Sequence, residues 1–203
     1  NKRSYPTTEV YLIALTAGMI VLLPVAAIYL ENLSKVPGDV WILVSAAGLF
    51  QALYFSGLGG AYRSGDLSIA YPAARSLPVL IVLVVSLILG RGEAISWQAI
   101  AGFLIVAVSA FFLPMRTWGE LRLRNYVNRM TAFALLAAVG TAGYSMLDDE
   151  ALRVMRATGA LRSGMSVTEV SFLYLSFEAV TTVVWMVIIF GIVRGTRGVR
   201  AVQ

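Results

Sequence analysis

Two charged side chains, Arg75 and Glu178, stand deep inside long apolar runs of this 203-residue sequence. A charge in hydrocarbon costs at least about 2.5 kcal/mol, so such residues face a partner, a solute or water. Arg75 lies in Ala70-Tyr71-Pro72-Ala73-Ala74-Arg75-Ser76-Leu77-Pro78. The two prolines withhold two amide donors and free the carbonyls of Ser68 and Ala74. Ser68, Tyr71, Arg75 and Pro78 share one face at helical spacing. A guanidinium beside freed carbonyls suits a polar cavity, where it would hold a carboxylate or phosphate through two parallel N–H bonds. The plainer reading is that Arg75 snorkels toward the interface or braces neighbouring carbonyls.

Glu178 belongs to a stripe of Ser171, Tyr174, Glu178, Thr181 and Trp185, at offsets of 3, 4, 3 and 4. A carboxyl shielded from water suits proton exchange during transport. The plainer reading is a polar contact that holds helices together. Gln51 and Tyr54 share a face of one earlier run, and Thr141, Tyr144, Ser145 and Asp148 share a face of another. The candidate substrate-binding set is therefore Arg75, Tyr71, Gln51, Tyr54, Tyr144 and Glu178. Arg75 and Glu178 each precede the middle of their own helix by about three residues. Antiparallel helices then place them roughly 4–5 Å from the midplane on opposite sides, which favours a cavity spanning both over a salt bridge.

Much chemistry is excluded outright. The chain has no histidine and no cysteine, so the commonest general base, disulfides and the usual zinc, haem and copper ligands are missing. No catalytic residue, metal site or cofactor is expected, and the chain reads as a non-enzyme. Arg162-Ser163-Gly164 has no histidine to activate its serine. Asp148-Asp149-Glu150 reads as a solvated cluster at a helix end rather than a cation site. A net charge of +5 on so apolar a chain reads as loop charge that sets topology and meets lipid headgroups, not as a nucleic-acid surface.

The elements that must position these residues follow from hydropathy. Hydrophobic residues make up 59% and charged residues 13%, against about 45–50% and 25% in soluble domains. The apolar residues gather in six runs: Val10–Leu30, Val40–Ala61, Leu67–Leu89, Ile95–Leu113, Met130–Leu147 and Val170–Val193. Each approaches the roughly 17–25 residues that cross a bilayer as a helix, the default where lipid offers backbone groups no partner. The expected fold is an all-α membrane protein of six transmembrane helices, multi-pass in the lipid bilayer. Pro37-Gly38, Ser64-Gly65 and Gly92 mark the joints, and Asp66 and Ser96 stand at N-cap positions. Gly48 with Ala52, and Gly57 with Ala61, form small-xxx-small pairs that read as helix packing. Residues 116–129 form a basic interfacial connector between four helices (1–115) and two (130–203). A second polar joint is expected from Asp148 to Thr168. Alternate joints carry ten and five Lys and Arg residues, and the richer side, with Arg116, Arg122, Arg124 and Arg129, would be cytoplasmic.

One further pattern is visible. Ala61-Tyr62-Arg63-Ser64-Gly65-Asp66-Leu67-Ser68-Ile69-Ala70-Tyr71-Pro72-Ala73-Ala74-Arg75-Ser76-Leu77-Pro78 resembles the third-to-fourth helix region of EamA-type transporters of the drug/metabolite transporter superfamily. Gly92-Glu93 before Gly102, Gly143-Tyr144-Ser145-Met146-Leu147-Asp148, and Asn1-Lys2-Arg3-Ser4 are similar to other parts of that family. The resemblance implies a ten-helix bundle of two inverted five-helix repeats around a central cavity, in a bacterial inner or plasma membrane. This chain would supply helices two to five of the first repeat and the first two of the second. Helix one and the last three would be absent, so the sequence is expected to represent part of a longer protein. The family's usual topology would place the 116–129 connector outside, opposite to the charge count.

The expected function is secondary transport of a small polar or anionic metabolite or drug-like solute by alternating access. The rival is an accessory or scaffold subunit of a larger membrane complex, and dimers or larger assemblies are open to either. An intramembrane enzyme or lipid flippase would have to work through Glu178 or Asp148–Glu150.

Overall fold

The computed structural model describes residues 8–64, 67–88, 90, 96–112, 127–157 and 164–200. Among them are six α-helices: α1 (Thr8–Ile28), α2 (Gly38–Ser64), α3 (Leu67–Ile88), α4 (Trp97–Phe112), α5 (Arg129–Ala157) and α6 (Val167–Arg200). No strand occurs among the described residues. Four helices are long and apolar enough to cross a membrane: α1, α2, α5 and Val167–Val193 of α6. Shorter apolar helical stretches occupy Ser76–Ile88 in α3 and Trp97–Val106 in α4. The outward faces are apolar: Ile13, Ile42 and Ile88 are 70%, 71% and 77% exposed. Water does not tolerate apolar faces this extensive, whereas lipid does.

Helix ends follow the sequence signals except that α6 continues seven residues past Val193 to Arg200, and that one further end needs correction. Ser96 caps α4, its hydroxyl accepting the Ala99 N–H at 3.2 Å; Asp66 lies outside the described residues. In the joint before α2, Leu30–Lys35 forms one short 3-10 helix, and Pro37-Gly38 opens α2. The correction concerns α5. It continues ten residues past Leu147 to Ala157, so Asp148-Asp149-Glu150 is helix and not the start of a polar joint. Glu150 pairs with Arg153 on the next turn, and Ala151 and Met155 are buried at a spacing of four. Both features hold the helix together through the acidic stretch.

α6 begins with a reciprocal cap. The Ser166 hydroxyl accepts the Glu169 N–H at 3.2 Å, and Glu169 Oε2 accepts the Ser166 N–H at 2.7 Å. The Tyr29 hydroxyl donates to Glu169 Oε1 at 3.0 Å, tying the chain after α1 to this helix start. That bond to the carboxylate raises the Tyr29 phenol above its ordinary value. Ser166→Ala is expected to cost about 1 kcal/mol, read as a lower thermal midpoint in detergent, with Ser166→Asp restoring it.

The described residues divide into two compact units. One comprises Tyr54–Ala142, the other Thr8–Leu53 with Gly143–Gln203. In the first, α3 packs on α4, and the α2 end approaches α5 at Gly57. A Cβ on Gly57 would lie 2.7 Å from Ala137 N and 2.8 Å from Phe133 O. In the second, α1 packs along α6, and Ser176 donates to the Leu22 carbonyl at 3.3 Å. Val40 and Val44 of α2, Ala151 and Met155 of α5, and Val170, Leu173 and Phe177 of α6 form its buried centre. Gly48 brings α2 against α6, where a Cβ would stand 2.9 Å from the Thr181 backbone carbon. Gly48 and Gly57 thus act as close-packing positions between helices.

Candidate functional site

Gln51 is the middle residue of α2 (Gly38–Ser64), and Glu178 lies two residues from the middle of Val167–Val193. The structure brings these two together. The Gln51 amide Nε2 donates to Glu178 Oε1 at 2.8 Å, and the Thr182 hydroxyl donates to Gln51 Oε1 at 2.5 Å. One turn of α6, Glu178 to Thr182, therefore cradles both ends of a single amide from α2. With Glu178 ionised this orientation of the amide is favoured, since the flipped form would set carbonyl oxygen against carboxylate oxygen. Glu178 is 5% exposed and Thr182 fully buried.

The remaining stripe residues are also engaged. Thr181 donates to the Val44 carbonyl at 3.2 Å, and the Trp185 indole N–H to the Ser45 carbonyl at 2.9 Å. Tyr174, one turn before Glu178, donates to Asp148 Oδ1 of α5 at 2.5 Å. Ser171, at the stripe's start, receives Arg156 Nη2 at 3.5 Å. The α6 stripe read from the sequence is thus a seam that α2 and α5 grip by hydrogen bonds. In lipid such bonds are worth about 0.6 kcal/mol each on average, because the separated helices also find partners for these groups. The ring of Phe177 meets Trp41 at 4.7 Å and closes one flank of the seam.

The other predicted residues are placed as follows. Tyr54 is buried in the first unit with its ring 4.8 Å from Phe55. Tyr144 is half-buried on α5, one turn before Asp148. Tyr71 and Arg75 belong to α3, but their side chains lie outside the described residues, as does the connector up to residue 126. Asp148 is half-buried and held by Tyr174 rather than solvated with Asp149 and Glu150 as the sequence suggests. Its face is not shared evenly: Thr141 donates back to the Ala137 carbonyl at 3.1 Å and Ser145 is exposed.

Sequence reasoning missed the Asp148–Tyr174 and Glu178–Gln51–Thr182 pairings. The available signals were the continuing spacing of Leu147, Ala151 and Met155, and the polar Gln51 at the centre of its span. Among the described residues no group of three or more His, Cys, Asp or Glu could hold a metal. An open depression of about 470 Å³ is lined by Trp41, Ile42, Ser45, Ala46, Leu49 and Trp185; Gln51 and Glu178 do not line it.

Comparison with protein-family models, with curated proteins and with solved structures finds no match.

Proposed function

We propose that this chain is a multi-pass membrane protein of six spans that carries a small polar or anionic solute by alternating access. The observation behind the reading is the carboxyl–amide–hydroxyl network of Glu178, Gln51 and Thr182 at the middle of two membrane-length helices. Polar groups at that depth are costly and mark solute or ion pathways in transport proteins. The network can open because each of its bonds is single and modest. Separating α2 from α6 exposes an amide, a carboxyl and a hydroxyl together, a set able to bind a polar solute. Arg75, with Tyr71 on the same face, is the proposed anchor for an anionic group, and Tyr54 and Tyr144 would line the path. The likeness of Tyr71-Pro72…Arg75 to EamA-type transporters supports the same reading, with a bacterial inner or plasma membrane as its place.

A charge-assisted bidentate contact contributes about 1.5–3 kcal/mol. Arg75→Ala is therefore expected to lower uptake roughly tenfold to a hundredfold. The assay is proteoliposome uptake across a panel of radiolabelled organic anions and zwitterions, at unchanged expression. Unaltered uptake of every transported solute removes Arg75 from the site.

A second reading, an accessory or scaffold subunit, draws on the same seam, since all five stripe residues of α6 have polar partners. It requires co-purification with a stoichiometric partner and no solute-dependent change in thermal stability.

A further inference from the structure

The seam holds two carboxyls rather than one. Asp148 accepts the Tyr174 hydroxyl at 2.5 Å, Glu178 accepts the Gln51 amide at 2.8 Å, and Tyr174 and Glu178 stand one turn apart on α6, a rise of about 6 Å. Asp148 is therefore tied to α6 one turn before the turn that carries Glu178. Among the described residues, cations are scarce around the two carboxyls. α1 carries no Lys or Arg, and its titratable residues are Glu9 and Tyr11 near its start. α2 carries no titratable side chain from Val40 to Leu53 and offers the neutral Gln51 amide. On α6, Val167–Val193 holds Glu169, Tyr174 and Glu178 and no basic residue. α5 brings Tyr144, Asp148, Asp149, Glu150, Arg153 and Arg156 toward its C-terminal half. Of these, Arg153 is paired with Glu150, and Arg156 reaches Ser171 two turns before Glu178.

We infer that Asp148 and Glu178 act as one proton-binding unit whose charge state sets the grip of α6 on α2 and α5. Two carboxyls held at successive turns of one helix, in a medium of low dielectric, interact and titrate as a pair. The hydrogen bonds explain how the proton acts on packing. Gln51 N–H and Tyr174 O–H can donate to either form of their carboxyls, but a bound proton adds an O–H donor that needs an acceptor of its own. Loss of that proton leaves net negative charge between helices, which favours opening to water. That this proton couples to solute movement rests on the transport reading; the proton site itself does not.

The test needs no solute. Purified protein in lipid is titrated while infrared absorption follows the carbonyl stretch of protonated carboxyls. Wild type is expected to show a titrating band that persists above about pH 6, where solvated carboxyls are ionised. Glu178→Gln, whose amide carbonyl still accepts from Gln51, is expected to remove about half of that component. Asp148→Asn, which still accepts from Tyr174, is expected to displace the midpoint of the step that remains. Circular dichroism at each pH confirms that the helices persist. A wild type without a titrating band, or variants that titrate as wild type does, overturns the inference. Protein that titrates as expected but moves no solute loses the transport reading and keeps the proton site. Protein that transports without the band loses only the proton site.

Discussion

Gly57→Leu is expected to give a chain that inserts but does not hold α2 against α5. The position has no slack, because the nearest atoms to an added Cβ are Ala137 N at 2.7 Å and Phe133 O at 2.8 Å, both backbone. A side chain could rotate away; a helix backbone moves only as a whole. Overpacking costs about 1–3 kcal/mol even for modest additions, so Gly57→Ala already falls in that range and leucine exceeds it. Gly60 provides a graded comparison, since a Cβ there would meet the Phe133 ring, with Cγ at 2.6 Å. That ring can turn, and Gly60→Ala should be milder than Gly57→Ala. At Gly18 of α1 an added Cβ meets nothing within 4 Å, and Gly18→Ala should be neutral or slightly stabilising, since alanine favours helix by up to about 1 kcal/mol. Thermal midpoints in detergent, with the monodisperse fraction on size exclusion, should rank the variants in that order. A Gly57→Leu chain as stable as wild type would refute the close α2–α5 approach.

Gly48 and Gly57 were legible as packing positions in the sequence because small residues four apart in an apolar run have few other uses; Gly60 was not. The helical character of the apolar runs and the Ser96 cap were legible for similar reasons, period and a side-chain oxygen ahead of a helix, while four of the described helices reach membrane-crossing length. The α6 stripe of Ser171, Tyr174, Glu178, Thr181 and Trp185 was visible from spacing alone. Its partners were not. Gln51 and Glu178 are separated by 127 positions, and a local pattern carries no information about which distant helix lies opposite. The end of α5 was misplaced because Asp148-Asp149-Glu150 looks like a solvated terminus. The compensating features, the Glu150–Arg153 pair and the buried Ala151 and Met155, act one and two turns later, beyond the point where the apolar run ends. Helix length here is set by α6 packing against that extension, through Leu173, Tyr174 and Val170.

The seam also explains why two readings of Glu178, proton exchange and helix contact, need not exclude each other. In the closed arrangement its carboxyl is a hydrogen-bonded contact between helices. A transport cycle requires that contact to part and water to arrive. Water access to the seam can be measured directly because the chain has no native cysteine. Ala47 is fully buried on α2, one turn before Gln51, and Ala47→Cys leaves Gln51, Thr182 and Glu178 in place. A methanethiosulfonate reagent that cannot cross the bilayer reacts with thiolate, and a thiol in dry packing does not ionise. Ser34→Cys in the exposed turn serves as the reactive control, and Ile42→Cys, 71% exposed on an apolar face, as the lipid-facing unreactive one. In sealed proteoliposomes the account predicts that Ala47→Cys is modified from at least one side, more slowly than Ser34→Cys, and at a rate that transported solute changes. Complete protection from both sides, with and without the solute panel, would show a permanently dry seam and contradict the account.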